Sequence, residues 1–517
     1  MAIKKYIADR DNTITNAFGV NLSTRATGSN MGAADILEVF SIYGLQSTSS
    51  AELSRILVRF PVDSVSSDRS NGNIPNSGSV SFYLRLFNAR HSEQLPRDFT
   101  VNVLAVSQSW EEGIGLDMEG YTDKTLDAVE GSNWINNTKT STWGKIGGTY
   151  HSSSYTPAET MPNYTYTFSS GAEDLLLDVT ATVEEWIAEK QENYGFGIFL
   201  TSSQEAHITA SDASVLQNTA GAKESYYTKR FFARSSEYFF KKPCLEARWD
   251  SRKSDDRSNF YYSSSIAPAD ENLNTLFLYN YVRGRLRDVP GVATGKIYLN
   301  IFSGSVDNSA PSGQALTLVK DDIHVQGTAT TVVSGGWIET GIYTASFALT
   351  SAAAPLTKIF DVWYSGDSTN IQYFTGSVDP KSFDTPDWNA YDQFTTKITN
   401  LKNAYSRDEK ARLRVFSRAR NFSPNIYSVA SEKVDKTIIP SASYQVIRMA
   451  DERSIIEHST GSTTYHTYLS YDNSGSYFDL DMSLLEPGYL YGVKMAYYLS
   501  EGWREQQEVF KFRVEDN

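Results

Sequence analysis

The sequence predicts an all-β protein built from antiparallel β-sandwich domains in tandem. Three observations carry this prediction. The chain of 517 residues contains 32 Tyr, 26 Phe and 9 Trp, and aromatic residues favour pleated sheets. Apolar and polar residues alternate with period two through most segments, as in half-buried strands. Clusters of Gly, Asn, Ser and Pro, such as "SSDRSNGNIPNSGS", separate these segments and are typical of surface turns.

The alternation is clearest in a few short segments. In "LSRILVRFP", Ile56, Val58 and Phe60 lie on one face, whereas Arg55 and Arg59 lie on the other. The segments "SFYLRLFN", "FTVNVLAV" and "CLEARW" repeat the pattern. We expect these to be strands of antiparallel sheets with one face on a core and one face in solvent.

Length and composition shifts predict three domains. A chain of this size is too long for one ordinary core. A charged and then Ser-rich stretch, "SRKSDDRSNFYYSSSIAPADEN", marks a boundary after the first domain. The predicted parts are an N-terminal arm with a first strand (1–30), a sandwich (31–257), a second sandwich (265–400) and a third, immunoglobulin-like sandwich (405–517). The arm is expected to extend to neighbouring molecules.

One helix is predicted at residues 180–193, inside the first domain. Val183, Trp186 and Ile187 form a narrow apolar stripe at helical spacing. Because a Trp on that stripe must be buried, we expect the helix to close one open end of the sandwich as a crossover. The predicted start and stop signals are Asp178 or Thr180 as cap and Gly195 as terminator.

Charge and cysteine content exclude several classes of function. The net charge is −14 and the sequence pI is about 5.1, which argues against binding to nucleic acid, because phosphates require clustered Lys and Arg. A single cysteine, Cys244, excludes an intrachain disulfide and a thiolate zinc site. The start "MAIKKYIADRDNTITNAF" does not resemble a secretory signal and no segment is apolar enough to span a membrane, so we expect synthesis in the cytoplasm.

Five segments between residues 10 and 255 resemble the DNRLRE-type β-sandwich, a module similar to carbohydrate-binding jelly rolls. They are "LSRILVRFP", "SWEEGIGLD", "NWINNTKTSTWGKIGGTY", "DVTATVEEWIAEKQENYGFGIFL" and "KKPCLEARWD". In that family a helix of the form DVT..V..W precedes a Gly-containing strand. The matching positions here are Asp178, Val179, Thr180, Val183, Trp186 and Gly195. The resemblance implies the fold of the N-terminal half and does not specify a function.

A second resemblance covers both ends of the chain. The opening "DNTITNAFGVNLSTRATGSNMGAADILEVFSIYG" and the tail "FSPNIYSVASEK…YFDLDMSLLEPGYLYGVKMAYYL" are similar to structural proteins of marine tailed bacteriophages of the T-even type. This resemblance implies a virion component and leaves its place in the particle open.

Three kinds of chemical site can be weighed from the residues. "SWEEGIGLDMEG" offers Glu111, Glu112, Asp117 and Glu119 beside Trp110, but glycosidases need two carboxyls facing across about 5 to 10 Å. A solvated loop with Trp110 anchored in the core is the favoured interpretation. "PADEN" and "DTPDWNAYD" lack the spacing of a calcium loop. The sequence contains no GxSxG segment of the kind that would indicate a serine hydrolase.

Aromatic and basic segments suggest contact surfaces. "TKRFFARSSEYFFKK" and "RLRVFSRAR" could stack on nucleic acid, but alternation favours Arg on outer strand faces. Trp134, Trp143, Tyr150 and Tyr155 lie in one long segment. Their rings could bind a glycan or a protein interface, or could belong to the core.

We therefore expect a non-enzymatic structural component of a tailed bacteriophage virion, located in the tail, baseplate, neck or surface decoration. The expected partners are other virion proteins and copies of this chain, with neither nucleic acid nor a membrane span involved. No cofactor is expected. The alternative is a glycan-binding adhesin that attaches to host polysaccharide, and a glycosidase ranks third.

Overall fold

The structure is a computed structural model. It describes residues 2–19, 22–42, 51–91, 96–116, 131–151, 161–209, 214–223, 227–264, 267, 272–319, 329–349, 356–366, 371–381, 393–421, 426, 436–460, 465–499 and 502–516. The chain divides into two compact units, residues 2–250 and residues 251–517. The second and third predicted domains both lie within the second unit. The fold is all-β and consists of sandwiches of mainly antiparallel strands, as the sequence predicts.

The first unit is a sandwich of two sheets. Its described strands are β1 (Ile3–Ile7), β2 (Arg10–Thr15), β3 (Ile36–Ile42), β4 (Glu52–Arg59), β5 (Val80–Leu86), β6 (Phe99–Ala105), β7 (Tyr164–Phe168), β8 (Leu175–Asp178), β9 (Phe196–Leu200), β10 (Tyr227–Phe232) and β11 (Cys244–Trp249). One sheet has the order β1-β11-β5-β8 and the other β10-β3-β4-β9-β6-β7, with β2 also on β4. Every pairing between these strands is antiparallel.

The N-terminal segment is part of these sheets. Strand β1 pairs with β11 from Ile3 to Ile7, and β2 pairs with β4 from Arg10 to Thr15. The described residues of the predicted arm therefore contribute two strands to the unit's own sandwich.

The alternation in β4 correctly predicts the face that meets the main core. Ile56, Val58 and Phe60 are fully buried between the two sheets. The opposite face is also buried, because Leu57 packs in a second apolar layer and Arg55 is only 7% exposed. The expectation of a solvent-facing side is therefore wrong for this strand. Its outer face is covered by residues 131–151, which lie far away in sequence.

Two helices are described in the first unit, α1 (Val62–Ser70) and α2 (Thr180–Ile187). Helix α1 begins after Pro61, and its second half overlaps the segment "SSDRSNGNIPNSGS", which is predicted to form turns. Its only buried side chains are Val62 and Val65, so the apolar pattern is too short to be recognised. Arg69 of α1 donates hydrogen bonds of 2.8 and 2.6 Å to the Glu184 carboxylate of α2.

Helix α2 is shorter than the predicted range 180–193. The Asp178 carboxylate accepts a 2.9 Å hydrogen bond from the Thr180 N–H at its start, and Trp186 packs on Phe196 in the core. The helix ends where Glu189 adopts a left-handed conformation, with φ of 55°. The prediction that Gly195 terminates the helix is therefore wrong.

Strand β11 places its cysteine and a charged cluster on the face away from the main core. Glu246 is 2% exposed and is paired with Lys5, Arg85 and Arg248. Although burial opposes ionisation, these three cations hold the pKa of Glu246 well below its usual range. Cys244 is 1% exposed, and burial, followed by the nearby Glu246 charge, raises the pKa of its thiol to about 11.

The second unit contains three larger sheets. Its described strands are β12 (Asn274–Tyr279), β13 (Tyr281–Val282), β14 (Arg285–Leu286), β15 (Ile297–Gly304), β16 (Pro311–Ala315), β17 (Leu318–Val319), β18 (Ala329–Thr330), β19 (Val333–Glu339), β20 (Ile342–Leu349), β21 (Ile359–Tyr364), β22 (Gln372–Val378), β23 (Phe394–Ile398), β24 (Ala404–Ser406), β25 (Lys410–Ala419), β26 (Ala442–Arg448), β27 (Arg453–Ile456), β28 (Ser470–Asp472), β29 (Gly475–Asp481), β30 (Leu490–Leu499), β31 (Gly502–Glu505) and β32 (Phe510–Glu515).

These sheets separate along the sequence. The first has the order β18-β17-β20-β19-β15-β21-β22, with β12 on β20 and β16 on β15. The other two have the orders β23-β25-β29-β28 and β24-β32-β30-β26-β27, with β31 on β30. Tyr444 of β26 stacks on Phe478 of β29 at 4.2 Å between ring centroids, so these last two sheets face one another as a sandwich.

The charged segment that follows β11 is a built junction inside the second unit. A short 3₁₀ turn at Asp256–Ser258 contacts both β12 and β28. The Arg257 guanidinium donates to both carboxylate oxygens of Asp361 at 2.7 Å, and the Asp256 carboxylate accepts from the Tyr471 hydroxyl at 2.7 Å. The segment predicted to follow the first domain therefore also links two sheets of the second unit.

Asp255 in this junction is a buried carboxyl group whose negative charge is only partly compensated by a nearby cation. Burial, which Arg257 only partly offsets, raises its pKa to about 7, because Asp361 takes both short hydrogen bonds from that guanidinium. The contribution of Asp255 to stability is complete below the unfolded pKa, near 4, and is lost as the pH rises to about 7.

Asp255→Asn should therefore become progressively more stable than the wild type as the pH rises from about 5 to 7, by about 1 kcal/mol per pH unit. Urea unfolding followed by hydrogen exchange of peptides from residues 251–517 measures this difference. Asp379→Asn, at a carboxyl that is 68% exposed, is the control and should show no such trend. A pH-independent difference for Asp255→Asn would contradict the assignment.

Two glycines allow a test of the packing in the first unit. Gly195 and Gly72 both have a left-handed backbone, with φ of 83° and 72°. A Cβ at Gly195 would lie 2.1 Å from the Val58 carbonyl oxygen, whereas a Cβ at Gly72 would meet nothing within 4 Å.

Gly72→Ala should cost about 1 kcal/mol from backbone strain alone. Gly195→Ala should cost about 1 to 3 kcal/mol more, because the strand must also move away from the added methyl group. Denaturant unfolding of the two variants compares them directly. Equal losses of stability would show that β9 does not pack against β4 as described.

Candidate interaction surface

The predicted glycan or interface aromatics lie inside the first unit. Trp134, Trp143 and Tyr150 are 0%, 4% and 7% exposed. The indole N–H of Trp134 donates to the Ser214 carbonyl and the hydroxyl of Tyr150 to the Gly147 carbonyl. Of the interpretations that the sequence leaves open for these three rings, their burial fits the core, because they form the apolar layer over the outer face of β4. Tyr155 lies outside the described residues.

Arg55 occupies the centre of this buried layer. Its guanidinium donates to the Gly147 carbonyl at 2.9 Å and to the Glu205 carboxylate at 3.2 Å. The same group lies 4.6 Å from the Phe199 ring centroid and 5.5 Å from that of Trp134. A charge removed from water requires such partners. The aromatic segment therefore encloses a cation of its own chain.

The carboxylates near Trp110 are engaged separately. Trp110 is 3% exposed and its indole N–H donates to the Tyr194 carbonyl, so its predicted role as an anchor is confirmed. Glu112 accepts two hydrogen bonds from Arg234, at 3.0 and 2.8 Å. Glu111 accepts from the Lys139 N–H at 3.1 Å. Asp117 and Glu119 lie outside the described residues.

The two carboxylate segments considered for calcium are only partly described. In "PADEN" the structure describes Asn272, whereas residues 268–271 and the whole of "DTPDWNAYD" lie outside the described ranges. Within those ranges, no group of three or more His, Cys, Asp or Glu side chains is arranged to hold a metal ion. None of the described helices is long and apolar enough to cross a bilayer.

The basic segment "TKRFFARSSEYFFKK" contains an unexpected buried lysine. Arg230 lies on the outer side and pairs with Glu38, as alternation predicts. Lys229 is fully buried and donates to Asn88 Oδ1 and to the Gly171 and Glu173 carbonyls at 2.6 to 2.8 Å. Burial lowers the pKa of Lys229 to about 8. This lysine is therefore part of the fold.

The second basic segment, "RLRVFSRAR", follows the alternation. Leu413 and Val415 of β25 are buried, at 1% and 3% exposure. Arg412 and Arg414 are on the other face and form paired hydrogen bonds with Asp479 and Asp472, respectively. Both guanidiniums also lie over the ring of Tyr477. These arginines are neutralised by their own sheet.

A surface cluster in the second unit was not anticipated from the sequence. It consists of Tyr465, Tyr468, Tyr498, Trp503 and Arg252, and we call it the aromatic platform. Successive rings are 5.0, 5.3 and 5.6 Å apart in the order Tyr465, Tyr468, Trp503 and Tyr498. The Arg252 guanidinium lies 4.9 Å from the Tyr465 centroid and 4.7 Å from that of Tyr468.

The platform is accessible from solvent. Tyr498 is 54% exposed, and Tyr465, Tyr468 and Trp503 are half-buried. Neighbouring rings are steeply inclined to one another, at 56° to 71°. Large rigid aromatics together with an arginine are the residue types enriched where proteins bind one another.

Local folding explains how the platform forms. Tyr498 and Trp503 are paired residues of the β30–β31 hairpin, and Gly502 at the turn has a φ of 124°. Tyr468 is brought beside β26 by a bridge to Ser443. The only sequence signal is the local one, an aromatic on each arm of a tight hairpin.

Comparisons with known proteins give no family. The sequence matches no protein-family model, and no curated protein matches it significantly. Among solved structures, E. coli alpha-2-macroglobulin in its native conformation is similar at 10% identity and a TM-score of 0.16, over 98% of this chain and 32% of that one. The glycoside hydrolase domain of Endo-D from Streptococcus pneumoniae R6 is similar at 9% identity and a TM-score of 0.10, over 71% of this chain and 43% of that one.

This chain thus spans about a third of the first of these proteins and under half of the second. At such identities and TM-scores neither likeness supports an argument about fold or function.

Glu205→Gln should destabilise the first unit by about 3 to 5 kcal/mol, because it leaves the buried Arg55 charge without its counter-ion. Equilibrium unfolding read by hydrogen exchange of peptides from residues 2–250 measures the loss. The control is Glu185→Gln, which removes a pair with Lys190 whose side chains are 37% and 65% exposed; it should cost less than about 1 kcal/mol. Similar losses for both variants would contradict a buried role for Arg55.

Proposed function

We propose that this chain is a non-enzymatic structural component of a tailed bacteriophage virion, placed in the tail, baseplate, neck or surface decoration. It acts by binding other virion proteins and copies of itself. The observation that carries the proposal is the aromatic platform, an accessible cluster of four rings and one arginine. The resemblance of both chain ends to structural proteins of T-even-type phages supports it.

The interior of each unit supports the proposal of a well-ordered building block. Buried ion pairs join segments that are far apart in the sequence, such as Arg55 with Glu205 and Arg257 with Asp361. An interface on such a body loses little conformational freedom on binding, so more of the contact energy appears as affinity. The platform also contains a positive charge in a chain whose net charge is −14, which favours an acidic or neutral partner surface.

The experiment that tests the proposal is quantitative mass spectrometry of purified particles of the phage that encodes this chain. A structural component should be present in a fixed copy number that fits the particle's rotational symmetry, in multiples of three, five, six or twelve. Absence from particles that are otherwise complete and infectious would refute the proposal.

A glycan-binding adhesin is the second candidate, and one observation favours it. Tyr498 and Trp503 expose apolar ring surface beside polar groups, and amphipathic aromatics of this kind can also contact the face of a sugar. If host polysaccharide is the ligand, the isolated chain should bind it on a glycan array, and that binding should disappear with the platform.

Tyr498→Ala combined with Trp503→Ala should weaken incorporation of the chain into particles, or its binding to the neighbouring virion protein, by about 30-fold, the effect of losing roughly 2 kcal/mol at an interface centre. Competition between tagged variant and wild-type chains during infection measures incorporation. Trp337→Ala, at another surface tryptophan of the same unit that is 37% exposed, is the control and should incorporate normally. Normal incorporation of the double variant would exclude the platform as the assembly surface.

A further inference from the structure

Strand β22 has a sheet partner on only one side among the described strands. It is the last strand in the order of its sheet and pairs with β21 alone. The chain just beyond it turns away, because Lys381 bonds to the backbone of Phe260 and Tyr262. Among the described residues, the outer edge of Gln372–Val378 therefore has no strand partner for its backbone N–H and C=O groups, and such an edge is a template for another strand.

The composition of β22 does not prevent another strand from pairing with this edge. The strand QYFTGSV contains no charged residue, although edge strands usually carry charges or proline that prevent pairing with other chains. Among the other described edge strands of five residues or more, β1, β2, β10, β16 and β23 follow that rule. The residues that prevent pairing are Lys4 and Lys5 in β1, Arg10 in β2, Arg230 in β10, Pro311 in β16 and Lys397 in β23.

Apolar side chains are also exposed on and beside this strand. Ile371 is 53% exposed and Phe374 is 40% exposed. Two further described edge strands, β7 and β12, also lack charged residues. The outer edge of β12 is occupied, because the Thr275 N–H donates to the Asp256 carboxylate and Arg257 donates to the Phe277 carbonyl. In β7 the tyrosine side chains are held by hydrogen bonds. The Tyr164 hydroxyl bonds to Thr182 and the Tyr166 hydroxyl to the Asp174 carbonyl. Strand β22 is thus the edge best suited to a partner.

We propose that β22 is a strand-addition site at which a second copy of this chain pairs antiparallel with its own β22, giving a symmetric dimer. Only a strand can satisfy the row of backbone groups. Two copies that each carry a net charge of −14 repel one another, so a contact between them is most favourable along a neutral strip. Self-pairing of an uncharged strand places no like charges opposite one another.

A two-fold axis at Thr375 also gives favourable side-chain pairs. It places Phe374 of each copy opposite Gly376 of the other, and an aromatic beside a glycine shields the exposed backbone of a sheet edge. Gly376 is required here, because a Cβ would lie 2.2 Å from Arg257 Nη1. Arg257 itself lies 5.5 Å from the Phe374 ring centroid and pairs with Asp361. The junction turn therefore contacts β22 through Arg257, and no described strand pairs with the outer edge of β22.

The test introduces a positive or a negative charge at Thr375, on the two-fold axis, in the full-length chain. Sedimentation velocity over a range of concentrations should show a dimer for the wild type. Thr375→Lys and Thr375→Glu should each weaken the dimer by about 30-fold, because like charges placed opposite one another in an interface strongly disfavour association. An equimolar mixture of the two variants should restore dimers. Thr395→Lys on β23, an edge that already carries Lys397, is the control and should dimerise as the wild type does.

Each other outcome would overturn the inference. A wild-type chain that remains monomeric up to its solubility limit, or charge variants that still dimerise, would show that β22 is not the contact. Loss of the dimer without rescue by the mixture would show that the two copies of residue 375 do not face one another. Hydrogen exchange of the monomeric variants should match the wild type outside β22, which separates this effect from unfolding. Because the purified chain is measured alone, the result is independent of whether the chain is found in virions.

Discussion

The pairing of buried arginines with carboxylates is the interaction on which much of this structure depends. Arg55 is enclosed by aromatic rings and Glu205, Arg257 is held by Asp361, and Glu246 sits among three cations. An ion removed from water is tolerated only when its partner is in place. Each pair therefore requires two distant segments to be positioned together, and it disfavours alternative registers in which the charges would be separated. In a chain whose single cysteine is unpaired, noncovalent constraints of this kind fix the arrangement of the sheets.

The same interaction explains what the sequence could and could not predict. Period-two alternation identifies the strands and the inner face of β4, because apolar side chains at every second position lie on one face, which is buried against the core. It did not predict that Arg55 on the other face is buried, since alternation distinguishes polar from apolar and not covered from exposed. The cover comes from residues 131–151 and the counter-ion from Glu205, neither of which is local.

The helices show a similar limit. The stripe of Val183 and Trp186 located α2 correctly, but its length was overestimated because Glu189 adopts the left-handed conformation that usually indicates glycine or asparagine. Helix α1 was missed because two valines carry its whole buried face. The sequence leaves the candidate aromatics undecided for a different reason: a tryptophan in a polar segment looks the same whether it contacts solvent or packs over its own sheet. The platform depends on Tyr468 meeting a hairpin some thirty residues later, which no local pattern encodes.

The two units use their aromatic residues differently. In the first unit the rings of the long loop segment are turned inward, where they shield a cation. In the second unit rings remain at the surface beside Arg252, and one sheet ends in an uncharged strand. The described surfaces best suited to contacts thus belong to residues 251–517, whereas the first unit has its best-formed aromatic cluster inside.

Cys244 gives the protein an experimental advantage. The thiol is buried, and its pKa of about 11 keeps it protonated at neutral pH. Maleimides and oxidants should therefore not react with it in the folded protein. A cysteine introduced on the surface would then be the only reactive thiol of the protein. Photo-crosslinkers or spin labels could be installed one site at a time on an otherwise natural background, and the neighbours of each face could be read out directly.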